Sequence, residues 1–227
     1  MLQRTRSDLP KILFCICAAA VQAGCTASPP APTLPAGSPA HGTFAGVLTW
    51  HNDPARTGQN RSETLLTPAL VNRKHFGKLF SYRVDGQLYA QPLYVPGVRV
   101  AGRQSHDIVI AATEHDSVYA FDARGLTQQS LWRDSFINPA RGITTVPCVS
   151  ARQPECDPTI MAPERGITGT PVIDASTGRL YVDVKTDERG VFVERLHVLD
   201  VSNGTEVQGS PVTVRATAPG FPGVELH

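Results

Sequence analysis

The sequence predicts an all-β chain built from repeated four-stranded antiparallel units, and three observations carry that expectation. The first is the run from His106 to Trp132, HDIVIAATEHDSVYAFDARGLTQQSLW. Residues 107–112 are a short apolar stretch rich in Val and Ile, 113–117 a polar tip, and 117–122 a second alternating stretch, which together read as a β-hairpin. Asp122-Ala123-Arg124-Gly125 is then a turn, and Leu131-Trp132 begins another strand. The second observation is a later copy, Leu196-His197-Val198-Leu199-Asp200 with a turn ending at Gly204, set against Val118-Tyr119-Ala120-Phe121-Asp122 and Gly125. The third is a shared upstream strand, Ala90-Gln91-Pro92-Leu93-Tyr94-Val95 against Gly169-Thr170-Pro171-Val172-Ile173-Asp174. A repeated four-strand unit is the signature of a β-propeller blade.

Composition agrees with that class. The 227 residues are 41% hydrophobic with 19 Gly and 19 Pro, which suits a turn-rich β protein better than a helical one. Twenty-one basic and 20 acidic residues are spread without runs, for a net charge of +1, and leave no basic footprint for nucleic acid.

Residues 1–24 read as a signal peptide. Arg4, Arg6 and Lys11 form a positive start, the apolar stretch 12–21 is too short to span a bilayer, and Ala23-Gly24-Cys25 offers a small-residue cleavage site. Ala-Gly-Cys also resembles the end of a bacterial lipobox, with Gln22 where that motif usually has Leu. Cys25 is therefore the lipidation candidate, and plain secretion is the alternative. If Cys25 is lipidated, Thr26 in the next position favours the outer membrane, and the lipid would be the chain's only attachment to a membrane. Residues 25–46 are a tether rich in Pro, Ala, Gly, Ser and Thr, with too little apolar surface to offset the entropy of ordering. The expected location is the periplasm, the cell surface or the medium.

Cysteine usage fits export. Cys148 and Cys156 bracket a short loop and most simply form a disulfide. Neither their spacing nor a second Cys or His pair supports a zinc site.

The folded domain is expected over 47–227. Residues 47–50 read as a strand leading into a polar turn, 65–72 as a short helix with Thr67 as cap and Pro68 in its first turn, and 76–84 as an alternating strand ended by Asp85-Gly86. Trp50, Asp53, Ala55-Arg56-Thr57-Gly58, Leu66-Thr67-Pro68, Val71-Asn72 and Phe76-Gly77-Lys78-Leu79 together resemble the opening segment of propellers built from pyrroloquinoline-quinone-type repeats. That group includes quinoprotein dehydrogenases and the propeller lipoprotein of outer-membrane assembly. Ala120-Phe121-Asp122-Ala123-Arg124-Gly125 with Trp132 looks like the group's tryptophan-docking motif, in which a Trp packs across to lock one blade to its neighbour. The resemblance implies structural, blade-docking roles for Asp122, Gly125, Trp132, Asp200 and Gly204.

Propellers need roughly four to eight blades of about 40 to 50 residues each. This chain supplies one strand of a closing blade (76–84), a first blade (88–136), an insertion (137–166) and a second blade (167–216), so the expectation is a partial β-propeller of about two and a half blades. Two blades alone leave a sheet face open, and the chain reads as an incomplete copy of a longer propeller.

In the dehydrogenases of that group, quinone sits over a Trp floor beneath adjacent cysteines, with Ca²⁺ held by carboxylate and amide oxygens and an Asp as base. Here there is no adjacent Cys pair, and no oxygen-ligand set for Ca²⁺ stands out in the sequence. The expectation is therefore no quinone cofactor, no metal and no catalytic residue. Glu114, His115 and Asp116 share one hairpin tip, where solvated turn residues are expected, and they are the surface-binding candidates. Asp53 and Arg56 are expected to pair across the opening turn, and His197 to be a strand side chain in the place of Tyr119. Long propeller loops are where binding specificity tends to sit, which directs attention to 148–164 in the insertion. The functional expectation is a non-catalytic binding or scaffold module at the cell envelope, with an envelope protein or a polysaccharide as partner. A fragment of a quinoprotein-type oxidoreductase and a polysaccharide-binding propeller are the alternatives.

Overall fold

A computed structural model describes residues 46–60, 63, 65–102, 104–148, 156, 158–161, 163–217 and 225–226. Residues 1–24, read as a signal peptide, Cys25 and the tether up to residue 45 lie outside the described residues. Among those described, no helix is long and apolar enough to cross a membrane.

The first sheet is a meander of β1 (Leu93–Arg99), β2 (Ser105–Ala112), β3 (Ser117–Asp122) and β4 (Trp132–Ser135), each antiparallel to the next. The predicted hairpin is β2–β3, in register from Ile108↔Asp122 to Ala112↔Val118. The insertion contributes β5 (Ile143–Pro147) and β6 (Glu164–Arg165). A second meander comes next: β7 (Val172–Asp174), β8 (Arg179–Glu188), β9 (Val191–Asp200) and β10 (Val212–Thr213). β8 and β9 outrun their neighbours, and β5 pairs the far half of β8 at Ile143↔Glu188 through Thr145↔Thr186. The insertion is thus partly a strand of the second sheet. Its Pro-rich composition does not show this, because the pairing is made with residues about 40 positions downstream. Beyond it, β11 (Ala216–Thr217) pairs β12 (Glu225–Leu226), where the sequence suggests no further strand.

The two meanders stack, and alternation decides which residues meet. Ile108, Ile110, Ala112, Val118, Ala120 and Trp132 from one face of the first sheet share a single core with Ile173, Leu180, Val182, Val184, Leu199 and Val201 of the second. Each of the Val, Leu and Ile side chains among them contributes roughly 1.5–3 kcal/mol on burial. The other face of the first sheet, Ala111, Tyr119 and Phe121, is covered by Tyr82 and Val84. Residues 78–84 therefore do pack by alternate side chains, as the pattern suggests, but they pair with no strand: they lie on a sheet face, where backbone ladders cannot form. Tyr82 stacks on Phe121 at 4.4 Å and its hydroxyl donates to Asp122 O at 2.7 Å.

Three other expectations are corrected. Residues 65–72 form turns, with Leu70 N and Val71 N donating to Thr67 O and no helix beyond that single turn. Val47 makes only an isolated bridge to Tyr94, while Leu48 O accepts from Ile173 N at 2.8 Å, so this segment spans the first strands of both meanders. The side chains of Asp53 and Arg56 do not pair, although Arg56 N donates to Asp53 O at 2.9 Å. Asp53 accepts from the Thr57 hydroxyl, while Arg56 turns back to donate to Thr49 Oγ1 and Trp50 O, both at 2.9 Å, with its guanidinium over the Trp50 ring.

Trp132 crosses between the sheets. Its Nε1 donates to Val201 O at 2.9 Å, and its six-membered ring lies where a Cβ on Gly204 would be, 2.5 Å from Cε3. Phe80 stands against Gly125 in the same way, also at 2.5 Å from the position a Cβ would take. Asp122 and Asp200 hold the two turns: Asp122 Oδ1 accepts from Arg124 N at 2.8 Å, and Asp200 Oδ1 from Ser202 N at 2.7 Å. Asp122 also takes His106 Nδ1 at 2.7 Å. Burial pushes the Asp122 carboxyl up, but the His106 ring and the Arg124 and Leu126 N–H groups outweigh it and hold it below the ordinary aspartate value of 3.8. A depressed folded-state value contributes stability that is fully present above the unfolded value and is lost as pH falls through the folded one. Urea midpoints measured between about pH 6 and pH 3 should therefore fall more steeply for the native chain than for Asp122→Asn. Equal slopes would remove Asp122 from the acid-side stability.

Cys148 and Cys156 are bonded, with Cα atoms 5.4 Å apart and both residues buried. Closing so short a loop contributes about 2–3 kcal/mol. A disulfide points to an oxidising, exported setting.

Candidate functional site

The β2–β3 tip is where the chain gathers its buried acids. Thr113 N donates to Ser117 O at 2.9 Å and Asp116 N to Thr113 O at 3.1 Å, closing a tight turn in which Asp116 takes φ 51°, a left-handed conformation that Asp tolerates. The sequence predicts solvated residues here. Instead Glu114 is 1% exposed and Asp116 0%, while His115 alone stays half-buried. The reason is tertiary: residues 164–168, at the end of the insertion, lie across the tip on one side, and 85–87 on the other.

Glu114 Oε2 accepts from Gly166 N at 2.7 Å and from Thr168 Oγ1 at 3.1 Å. Ile167 N donates to Thr113 O, and Glu114 N to Gln87 O. His115 turns the opposite way, with Nδ1 at 2.8 Å from Glu164 Oε1, while Glu164 Oε2 also accepts from Thr145 Oγ1. Asp85 accepts from Thr113 Oγ1 at 2.9 Å, Ser117 Oγ at 2.6 Å and Arg133 Nη2 at 2.6 Å. An open recess of ≈ 270 Å³ beside the tip is lined in part by Asp85, Glu114 and Glu164.

These carboxyls differ in what they are given. Burial pushes Asp85 up, but the Ser117 and Thr113 hydroxyls and Arg133 outweigh it and hold the group below its ordinary value. Glu114 is raised by burial, against the Gly166 and Thr168 bonds. Asp116 is pushed up to about 9, first by burial and then by the charges of Glu114, Glu164 and Asp85. Among the described residues, Glu114 Oε1 and both carboxylate oxygens of Asp116 have no hydrogen-bond partner. No three His, Cys, Asp or Glu side chains among them converge as they would round a metal ion.

Of the residues singled out in the sequence, the structure brings Glu114, His115 and Asp116 into this cluster. It places Asp122, Gly125, Trp132, Asp200 and Gly204 at the turns and contact between the sheets, and Cys148–Cys156 in the insertion. Sequence reasoning misses Asp85, Glu164, Gly166 and Thr168. Asp85 reads locally as a strand-ending turn residue and Gly166 as the end of a loop, and nothing in their neighbourhoods announces contact with a tip 28 to 54 residues away. His197 is a buried strand residue against Phe136, with Nδ1 at 2.9 Å from Glu206.

Comparison with models of protein families, with curated proteins and with solved structures finds no match.

Proposed function

We propose that this chain is an exported, non-catalytic binding or scaffold module of the bacterial cell envelope, built of propeller-type blades of the quinone-repeat kind without quinone chemistry. The observation that carries the reading is the way the sheets stack. The first meander packs one face under Tyr82 and Val84 of the N-terminal segment and the other against the second meander, and Trp132 seats on Gly204 between them. Tyr119 and His197, paired in the repeat, both lie on the face that their sheet turns toward the N-terminal side of the stack. The outward face of the second sheet carries exposed Val172, Leu196 and Val212, in the place that sheet itself fills for the first meander. Serial stacking of this sort is how propeller blades bury their faces.

Binding is assigned to the insertion because it is added to the two four-stranded meanders and is pinned by the disulfide. A photo-crosslinker at exposed Ala140, in the chain expressed in a bacterial host, tests this. The expected result is a discrete adduct with an envelope protein or polysaccharide, found in the envelope fraction and at least several-fold weaker when Cys148 and Cys156 are both changed to Ser. A cytosolic chain, or dye reduction that depends on added pyrroloquinoline quinone, would overturn the reading.

A further inference from the structure

We infer that the β2–β3 tip and the end of the insertion together hold a calcium ion, bound by the carboxylates of Glu114 and Asp116 with main-chain oxygen beside Gly166. Three acceptor oxygens, Glu114 Oε1 and both of Asp116, lie buried without a donor, and Asp116 is fully enclosed. Arg133, one guanidinium at the tip, is taken by Asp85, and Arg165 acts on Glu114 through its charge while these three oxygens still lack a donor. One proton shared between the two carboxyls would serve two of the three oxygens and leave the third without a donor, whereas a hard divalent cation can take several oxygens at once.

One orphaned oxygen of Asp116, the Glu114 carboxylate and a main-chain oxygen gather round Gly166. A Cβ built on Gly166 would lie 2.4 Å from Asp116 Oδ1 and 2.4 Å from Glu114 O, so those two atoms are no more than about 4.8 Å apart, within the span of two ligands on one calcium ion. Gly166 N is at the same time 2.7 Å from Glu114 Oε2, which brings the Glu114 carboxylate to the same residue. Main-chain carbonyls and water complete calcium shells routinely, so two carboxylates suffice for a site of the extracellular kind, with Kd on the order of 10⁻⁴–10⁻³ M. All the donors named are oxygens. His115 points to Glu164, and neither bonded cysteine is a donor, which disfavours zinc. None of this is visible in the sequence, where Glu114 and Asp116 lie about 50 residues from Gly166 and the set of ligands forms only on folding. Bound there, the ion would staple the insertion to the first meander.

The test is equilibrium dialysis of the purified chain against ⁴⁵Ca²⁺, with Mg²⁺ in competition, together with thermal melts in about 10 mM Ca²⁺ or in chelator. One ion per chain and a Tm higher by about 3 °C in Ca²⁺ are expected, with Mg²⁺ unable to replace it. Both effects should disappear in Asp116→Asn and persist in Asp183→Asn, on the opposite face of the second sheet. Should Asp116→Asn fail to fold, calcium-dependent hydrogen-exchange protection of the native chain decides. Protection gained at 113–117 and 164–168 supports the site, and protection confined to other segments overturns it. No bound calcium in the folded native chain, or full binding in folded Asp116→Asn, would likewise overturn it.

Discussion

Trp132→Ala is expected to cost the folded state about 3–5 kcal/mol, the range for deleting a large buried aromatic. The Trp132 ring fills the shared core at its edge, and its Nε1 satisfies Val201 O in the turn after β9, so the substitution both opens a cavity and removes a hydrogen bond that ties the two meanders together. The opposite change, Gly204→Ala, is damaging for two separable reasons. Its φ of +75° strains any Cβ-bearing residue, and that Cβ would meet Trp132 Cε3 at 2.5 Å. In the double variant the steric part disappears and the backbone part remains, so the two losses should sum to more than the double variant loses, by roughly 1 kcal/mol or more. Urea denaturation of the four proteins measures this. A cost below about 1 kcal/mol for Trp132→Ala would mean that the sheets hold together without the tryptophan.

Gly166→Ala should be the most disruptive single methyl group near the tip, at about 3 kcal/mol. The added carbon would stand 2.4 Å from Glu114 O, a main-chain atom that cannot rotate away, and 2.4 Å from Asp116 Oδ1. Relieving it would require residues 164–168 to lift off the hairpin, breaking Gly166 N to Glu114 and Ile167 N to Thr113 O. Gly169→Ala, three residues on with nothing within 4 Å of the new carbon, is the control and should stay within about 0.5 kcal/mol. Pairing the substitution with Asp116→Ala should recover only part of the loss, since the clash with Glu114 O persists. If Gly166→Ala and Gly169→Ala melt alike, the insertion does not lie on the tip.

The hairpin and its copy are legible because strand pairing between neighbours leaves local marks: alternating apolar residues, a polar tip, and turns ended by Gly. Val118 and Ala120 against Tyr119 and Phe121 already separate the two faces of β3. The same local reading fails for 76–84, whose alternation is real but is spent on side-chain packing over a sheet, and for 65–72, where a capping pattern yields one turn only. It also misjudges Glu114-His115-Asp116, since acids in a turn are ordinarily wet and the segments that cover them come from distant parts of the chain.

Period and turn chemistry by themselves determined that this protein would be β-rich, that its meander unit would recur, and that Cys148 lay a short loop from Cys156. Those features depend on residues within a few positions of one another, where covalent geometry limits the choices. Only folding decided that β5 would join β8, that Trp132 would seat on Gly204, and that Glu114 and Asp116 would be sealed beside Gly166. Each of these contacts joins segments about 40 to 70 residues apart, and burial is a property of the whole packed chain that no local stretch encodes.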